Sequence, residues 1–434
     1  MKNLSIKLSV VALGFMLPAA AHATDGYFSH GYGLKAKGMA GAATATTSDT
    51  MGGANNPASM VWVGNRIDLG VDWFRPVRDA ERSGSNAPLP PPGLNGKVDS
   101  GSENFFIPEF GYNYMVSPET SLGLTVYGNG GMNTDYPQGP FQCPTSPTTA
   151  GPANMLCGSG KLGVDLTQLI VAPTMAYKMN PDHAIGAALL LGYQRFKVDG
   201  LQAFEQFTGA PGRVSNNGYD SSTGYGIRVG YLGKISNAVS IGATYASKMK
   251  MGKFDKYKGL FAENGGFDIP ENYSLGVAFA AMPAMTVALD YQRINYSKIA
   301  SIGNPSSNQA PLGASNGPGF GWQDVDVVKL GIEYKMDSEL TWRAGYNHTK
   351  NPIRSQDVSF NIIAPGVVQS HYTLGMTYAS SKDSEITAAF MYAPRETVSG
   401  PSFFNSPALF NGTGGNETIG MSQTSFGVAW GKKL

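Results

Sequence analysis

A period-two alternation of apolar and polar residues recurs about fourteen times along this chain, joined by connections that are alternately tight and long. Between Asn65 and Arg78, the residues Ile67, Leu69, Val71 and Trp73 share one face, while Arg66, Asp68, Gly70 and Asp72 share the other. Successive side chains of an extended chain point to opposite faces, so such a stretch is a strand with one apolar and one polar surface. The same rhythm predicts strands over Asn104–Val116, Thr120–Gly128, Val164–Met179, His183–Val198, Tyr219–Ile235, Val239–Met251 and Phe267–Ala281. It continues over Met285–Ile299, Trp322–Met336, Leu340–Lys350, Val367–Ser380, Glu385–Pro394 and Glu417–Trp430. Turn-formers such as Ser117-Pro118-Glu119, Asn180-Pro181-Asp182 and Met282-Pro283-Ala284 make the tight connections. The other connections carry most of the prolines, as the extracellular loops of a membrane barrel do.

A soluble sheet alternates too, so the repetition has to be read with what is missing. Beyond the first residues no apolar run is long enough for a membrane-spanning helix, which needs roughly 20 residues. Charged residues are 15% of the chain, against roughly 25% in soluble domains. A membrane protein without such helices has to close its strands into a barrel. The expected fold is therefore an all-β membrane protein, a 14-stranded antiparallel transmembrane β-barrel in the bacterial outer membrane. Rings near strand ends, including Tyr177, Tyr231, Tyr245, Tyr291, Tyr334, Trp342, Tyr346, Tyr378, Tyr392 and Trp430, suit the interfacial girdles.

At the start, Lys2 and Lys7 precede the apolar stretch Leu8–Ala20 and the small-residue site Ala21-His22-Ala23, a secretory signal peptide over 1–23. Residues 24–64 do not alternate and are rich in Gly and Ala. They are expected to form a plug of short helices in the lumen, ahead of a barrel over 65–434. A formal net charge of +1 offers no basic field for nucleic acid. His30, His183, His348 and His371 lie in unrelated segments, and neither metal-ligand spacing nor a nucleophile elbow is present. No enzyme, cofactor or metal is expected. An outer-membrane lipid hydrolase and a structural or adhesive barrel are the rival readings, and the plug argues against an open porin.

Cys143 and Cys157 share one long loop in an oxidising compartment and are expected to form a disulfide. In the next outer loops, Leu201, Phe204 and Phe207, and then Phe254, Tyr257, Leu260 and Phe261, recur at helical spacing and would either pack on their own loops or offer two apolar faces to a hydrophobic ligand. Parity turns Arg228, Lys329 and Arg343 inward, where each is first expected to pair with an Asp or Glu across the barrel wall and is otherwise a candidate for a carboxylate head group. Asn56-Pro57-Ala58, with φ fixed at Pro57 and the α region disfavoured at Asn56, is expected to fix the passage from plug to wall. Gly128-Asn129-Gly130-Gly131 ends strand three with three glycines in four residues, where the wall is expected to break and open a lateral gate.

These residues resemble the FadL/TodX family of outer-membrane transporters for long-chain fatty acids and aromatic hydrocarbons. Gly38-Met39-Ala40-Gly41 with Ala42-Ala43, Asn56-Pro57-Ala58 before strand one, and Phe106-Ile107-Pro108 opening strand two carry the likeness. It implies passive uptake: capture on outer loops, transfer to a pocket above the plug, and sideways exit where strand three kinks. The expected partners are fatty acids, alkanes or aromatics together with outer-membrane lipid and lipopolysaccharide, and the expected state is a monomer. The end of the chain, Trp430-Gly431-Lys432-Lys433-Leu434, departs from the terminal aromatic of many such barrels.

Overall fold

The computed structural model describes residues 25–146, 149–407, 409–410 and 412–434, so the expected signal peptide lies outside the described residues. Seven strands form the first half: β1 Arg66–Ser83, β2 Phe105–Met115, β3 Thr120–Tyr136, β4 Leu162–Asn180, β5 His183–Asp199, β6 Asp220–Lys234 and β7 Val239–Ala246. The second half holds β8 Asn272–Met282, β9 Met285–Ile294, β10 Val325–Lys335, β11 Leu340–Thr349, β12 Ser370–Ala379, β13 Ser384–Pro401 and β14 Asn416–Lys433. Each strand pairs antiparallel with the next, and β14 returns to β1 from Arg66↔Lys433 to Ser83↔Asn416. Closure removes the free sheet edges that lipid cannot solvate.

The alternation decides which face is which. On β1 the side chains of Leu69, Val71 and Trp73 are exposed, whereas Arg66, Asp68 and Asp72 are buried. Most of the ring residues read as girdles, from Tyr177 to Trp430, are likewise exposed on the outer face; Tyr231 is half-buried. The chain end keeps this parity, with Trp430 and Leu434 outward and the Leu434 amide donating to the Asn65 carbonyl at 2.9 Å.

Residues 25–64 lie inside this wall, because they bond to strands on opposite sides of it. The Lys37 ammonium meets Asp72 of β1 at 2.9 Å and Glu109 of β2 at 2.7 Å. The Ala43 and Thr44 amides both donate to Asp290 of β9 at 2.8 Å, and the Ala40 amide donates to Thr373 of β12 at 3.0 Å. Polar lumen side chains thus satisfy a backbone that is mostly turn and short helix, including the helical turns Leu34–Gly38 and Pro57–Trp62. Asn56 is extended, as expected before proline, and its carboxamide oxygen caps the Ala58 amide. The triplet does not sit at the passage to β1, however. Its Asn56 amide donates to the Tyr231 carbonyl of β6 at 2.9 Å, and a Cβ on Gly230 would stand 2.1 Å from the Asn56 oxygen. Asn56-Pro57-Ala58 therefore anchors the segment to β6 of the wall, and Gly230 permits the approach.

Several strand ends differ from the periodic reading. Phe267, Tyr296 and Trp322 read as strand, yet all three are buried in loops that fold over the lumen. Parity separates in from out, but a chain curling inward at the rim keeps its apolar residues after it has left the wall. β13 runs on to Pro401, past the expected end at Pro394.

Candidate functional site

The outer loops converge on a tight apolar cavity of about 40 Å³. Leu201 and Phe204 reach it from the β5–β6 connection, Leu260 and Phe261 from β7–β8, Leu312 and Phe320 from β9–β10, and Phe360 and Ile363 from β11–β12. Leu156 comes from the loop closed by the Cys143–Cys157 disulfide, whose sequence separation is 14 residues. A loop of that size gains about 3 kcal/mol from cross-linking in the chain-entropy model. Replacing both cysteines with serine is expected to cost the loop about that much. Protease cleavage between β3 and β4 should then appear while the barrel keeps its heat-modifiable migration; equal resistance in both proteins would show that packing alone holds the loop.

A wider groove of about 720 Å³ opens outside the cavity and shares Phe204, Leu312, Pro318, Ser359 and Phe360 with it. Between the two, Phe204 packs on Phe360 at 5.9 Å and on Phe403 at 5.6 Å, and Phe207 packs on Phe403 at 5.8 Å. These are ordinary ring separations, so the passage is lined by aromatic faces and edges. Rings continue inward from the cavity. Phe261 contacts Phe267 at 4.9 Å and Phe320 contacts Trp322 at 6.4 Å, and both lead to Tyr27 at 6.3 and 6.0 Å.

Tyr27 lies against strand β3 where that strand parts from β2 while staying paired with β4 as far as Tyr136↔Leu162. The β2–β3 ladder spans only Phe110↔Val126 to Met115↔Ser121, although β2 starts at Phe105 and β3 continues to Tyr136. Towards β4 the register shifts between Gly128 and Gly130. From Asn129 to Thr134 every residue is buried, so the in-out alternation is lost and β3 is covered on both faces. The strand was expected to stop at Gly128; instead it bulges there and runs inward. The described N-terminal residues take up its unpaired edge. Phe28 bridges Gly130, the Ser29 amide donates to the Asn129 carbonyl at 3.3 Å, and the Gly131 amide donates to the Tyr27 carbonyl at 3.3 Å. A Cβ on Gly130 would stand 1.9 Å from the Tyr27 oxygen, so a side chain there would dislodge the N-terminal segment rather than seal the wall.

The other expected ligand residues divide. Phe207 lines the outer groove, whereas Phe254 and Tyr257 are fully buried against Phe196 and hold the β7–β8 loop together. Only one helical turn, Asp255–Tyr257, forms in that stretch, because its apolar residues point into the fold. The three cations sit at the level of the plug. Arg228 donates to the Ala54 carbonyl and to Tyr127 at 3.3 Å, Lys329 donates to the His30 carbonyl at 2.8 Å, and Arg343 pairs with Glu333 at 2.7 Å. Burial raises the Asp25 carboxyl to about 6, against the opposing pull of Lys329 3.8 Å away. None of the three cations lines the apolar cavity.

Sequence reasoning missed the buried pair beside the cavity. Arg82 of β1 binds Glu417 of β14 through Nε at 2.9 Å and Nη2 at 2.5 Å, with both side chains inaccessible to solvent. The same guanidinium donates to the Met155 carbonyl at 2.8 Å and lies 4.6 Å from the Phe404 ring. The Ser359 and Ser402 hydroxyls donate to Glu417. The two charges face each other across the barrel seam at Arg82↔Glu417, and nothing in the local sequence around either residue pointed to the pair.

Residues 10–400 match the model of a family described as outer membrane protein transport protein (OMPP1/FadL/TodX). The chain has no match among curated proteins. Among solved structures it is similar to the Pseudomonas putida toluene transporter TodX, with 18% identity, 94% of this chain and 99% of that one covered, and a TM-score of 0.69. The Ralstonia pickettii toluene transporter TbuX gives 17%, 94%, 99% and 0.63. A Pseudomonas aeruginosa FadL homologue gives 14%, 94%, 99% and 0.66. At such identities the likeness is one of fold.

Proposed function

Because this chain belongs to the outer membrane protein transport family (OMPP1/FadL/TodX), we propose that it is a passive outer-membrane channel for hydrophobic small molecules, hydrocarbons or fatty acids. The observation that carries this reading is continuity: the outer groove shares five residues with the apolar cavity, and rings lead from the cavity to Tyr27 beside β3. A ligand captured among Phe204, Phe207 and Phe403 moves past Phe360 into the cavity, leaving water behind at each step. It departs sideways between β2 and β3 once the N-terminal segment releases Gly130. The backbone groups freed there belong to the buried stretch Asn129–Thr134 and do not face lipid. Asn56-Pro57-Ala58 keeps the rest of the plug fixed while residues 25–31 move. No energy source is required, since consumption inside the cell maintains the gradient.

The test is growth and uptake. A strain lacking the protein is complemented with the wild type or with Leu312→Trp, which fills the space shared by groove and cavity. The wild type is expected to restore growth on a limiting hydrophobic carbon source, and the filled variant to fail at equal barrel abundance. Equal growth with both would remove the channel reading and favour an adhesive or structural barrel.

A further inference from the structure

We propose that the cavity selects uncharged hydrocarbons and excludes ionised carboxylates, an inference that rests on the cavity being the ligand site of the channel. Among the described residues its lining contains neither lysine nor arginine nor histidine. Only two side-chain hydroxyls, Ser301 and Ser359, interrupt the apolar surface, and both are committed elsewhere. Ser301 donates its proton to the Gly266 carbonyl at 2.5 Å. Ser359 donates to Glu417 and accepts from the Phe403 amide at 2.8 Å. The hydroxyl protons therefore point into the protein, and a ligand meets oxygen lone pairs and aromatic rings.

The nearest ionic groups do not correct this. Behind Ser359, Arg82 spends its donors on Glu417 and on the Met155 carbonyl, so its charge is neutralised within the wall. Arg228, Lys329 and Arg343, which parity had offered as head-group partners, are held at plug level by Ala54, His30 and Glu333. A carboxylate entering the cavity would lose its hydration and gain no cation and no side-chain donor, the case in which burial of charge is most unfavourable. An uncharged molecule carries no such penalty and gains contact with Phe196, Phe204, Phe261, Phe320 and Phe360.

The experiment uses two probes with the same carbon skeleton, n-propylbenzene and 3-phenylpropionate, and the purified detergent-solubilised protein at neutral pH. Binding is measured by equilibrium dialysis, with Leu312→Trp as the background. Saturable n-propylbenzene binding is expected, with 3-phenylpropionate weaker by on the order of a hundredfold, as for a site that leaves a polar group unpaired. Lowering the pH toward the carboxylic-acid range, about 4.3 for a glutamate-like group, should recover its affinity by roughly tenfold per unit, because the neutral acid alone enters. Carboxylate binding within about tenfold of the hydrocarbon at neutral pH, or without dependence on pH, overturns the charge selectivity and leaves the channel reading standing. Binding of neither probe above background overturns both, since the cavity would then not be the ligand site.

Discussion

Joining β2 to β3 through cysteines placed at Pro108 and Gly128, with a short bis-thiol reagent, is expected to lower uptake of hydrophobic substrate at least tenfold while leaving ligand binding unchanged. The positions follow from the ladder. Phe110↔Val126 is the last pair, and the same register extended by two residues would set Pro108 opposite Gly128 on the outward face. Beyond that pair, β3 runs inward and Phe105 to Glu109 of β2 pair only with β1. Neither position lines the cavity, so capture and binding have no reason to change. Barrel abundance and heat-modifiable migration serve as controls, and reagent without the cysteines shows that modification alone is harmless. Undiminished uptake by the bridged protein would send the ligand through the lumen to the periplasm and remove the lateral route.

Replacing Arg82 with methionine has the largest expected effect on stability. Glu417 would keep its two serine donors but lose its cation, in a place with no access to water. Breaking one side of a buried ion pair costs about 3–5 kcal/mol, because the remaining charge is left uncompensated. The loss should be local. The β1–β14 ladder runs from Arg66↔Lys433 to Ser83↔Asn416, so closure does not depend on this pair, but the cap above the cavity does. Leu156 is positioned through the Met155 carbonyl, and Ser359 through Glu417. Faster proteolysis of the β3–β4 and β11–β12 loops and weaker hydrocarbon binding are expected, with migration of the folded barrel retained. Arg82→Met together with Glu417→Met should recover much of the loss, since an apolar pair leaves no charge stranded. A single variant as protease-resistant as the wild type would show that the cap stands without the pair.

The wall was legible because lipid on one side and a polar plug on the other force every strand into the same two-residue code. That code placed Arg228, Lys329 and Arg343 on the inner face correctly, and it could not say at what height they lie or what they touch. Arg343 pairs with Glu333 across the wall, the alternative that parity left open, while Arg228 and Lys329 bond to the Ala54 and His30 carbonyls. Cys143 and Cys157 were legible because chemistry and compartment leave a pair in one loop little else to do. Phe254 and Tyr257 had the spacing of a ligand-facing helix, but the same spacing serves a loop that packs upon itself. Arg82 and Glu417 are 335 residues apart, and neither belongs to a local motif. Only the register of the closing seam brings them together.

The plug is stitched to the wall across very long stretches of chain, and this bears on how the protein is made. Ala40 meets Thr373 across 333 residues, and Lys329 meets His30 across 299. Contacts of such separation form late, because the intervening chain must be ordered first. Residues 25–64 are made ahead of the barrel and meet some partners in its first strands, such as Asp72 and Glu109, but others only in its last third. Until then part of their glycine- and alanine-rich backbone is without its mates. Full docking of residues 25–64 is therefore expected to be coupled to closure of the β1–β14 seam, since both need the last strands in place.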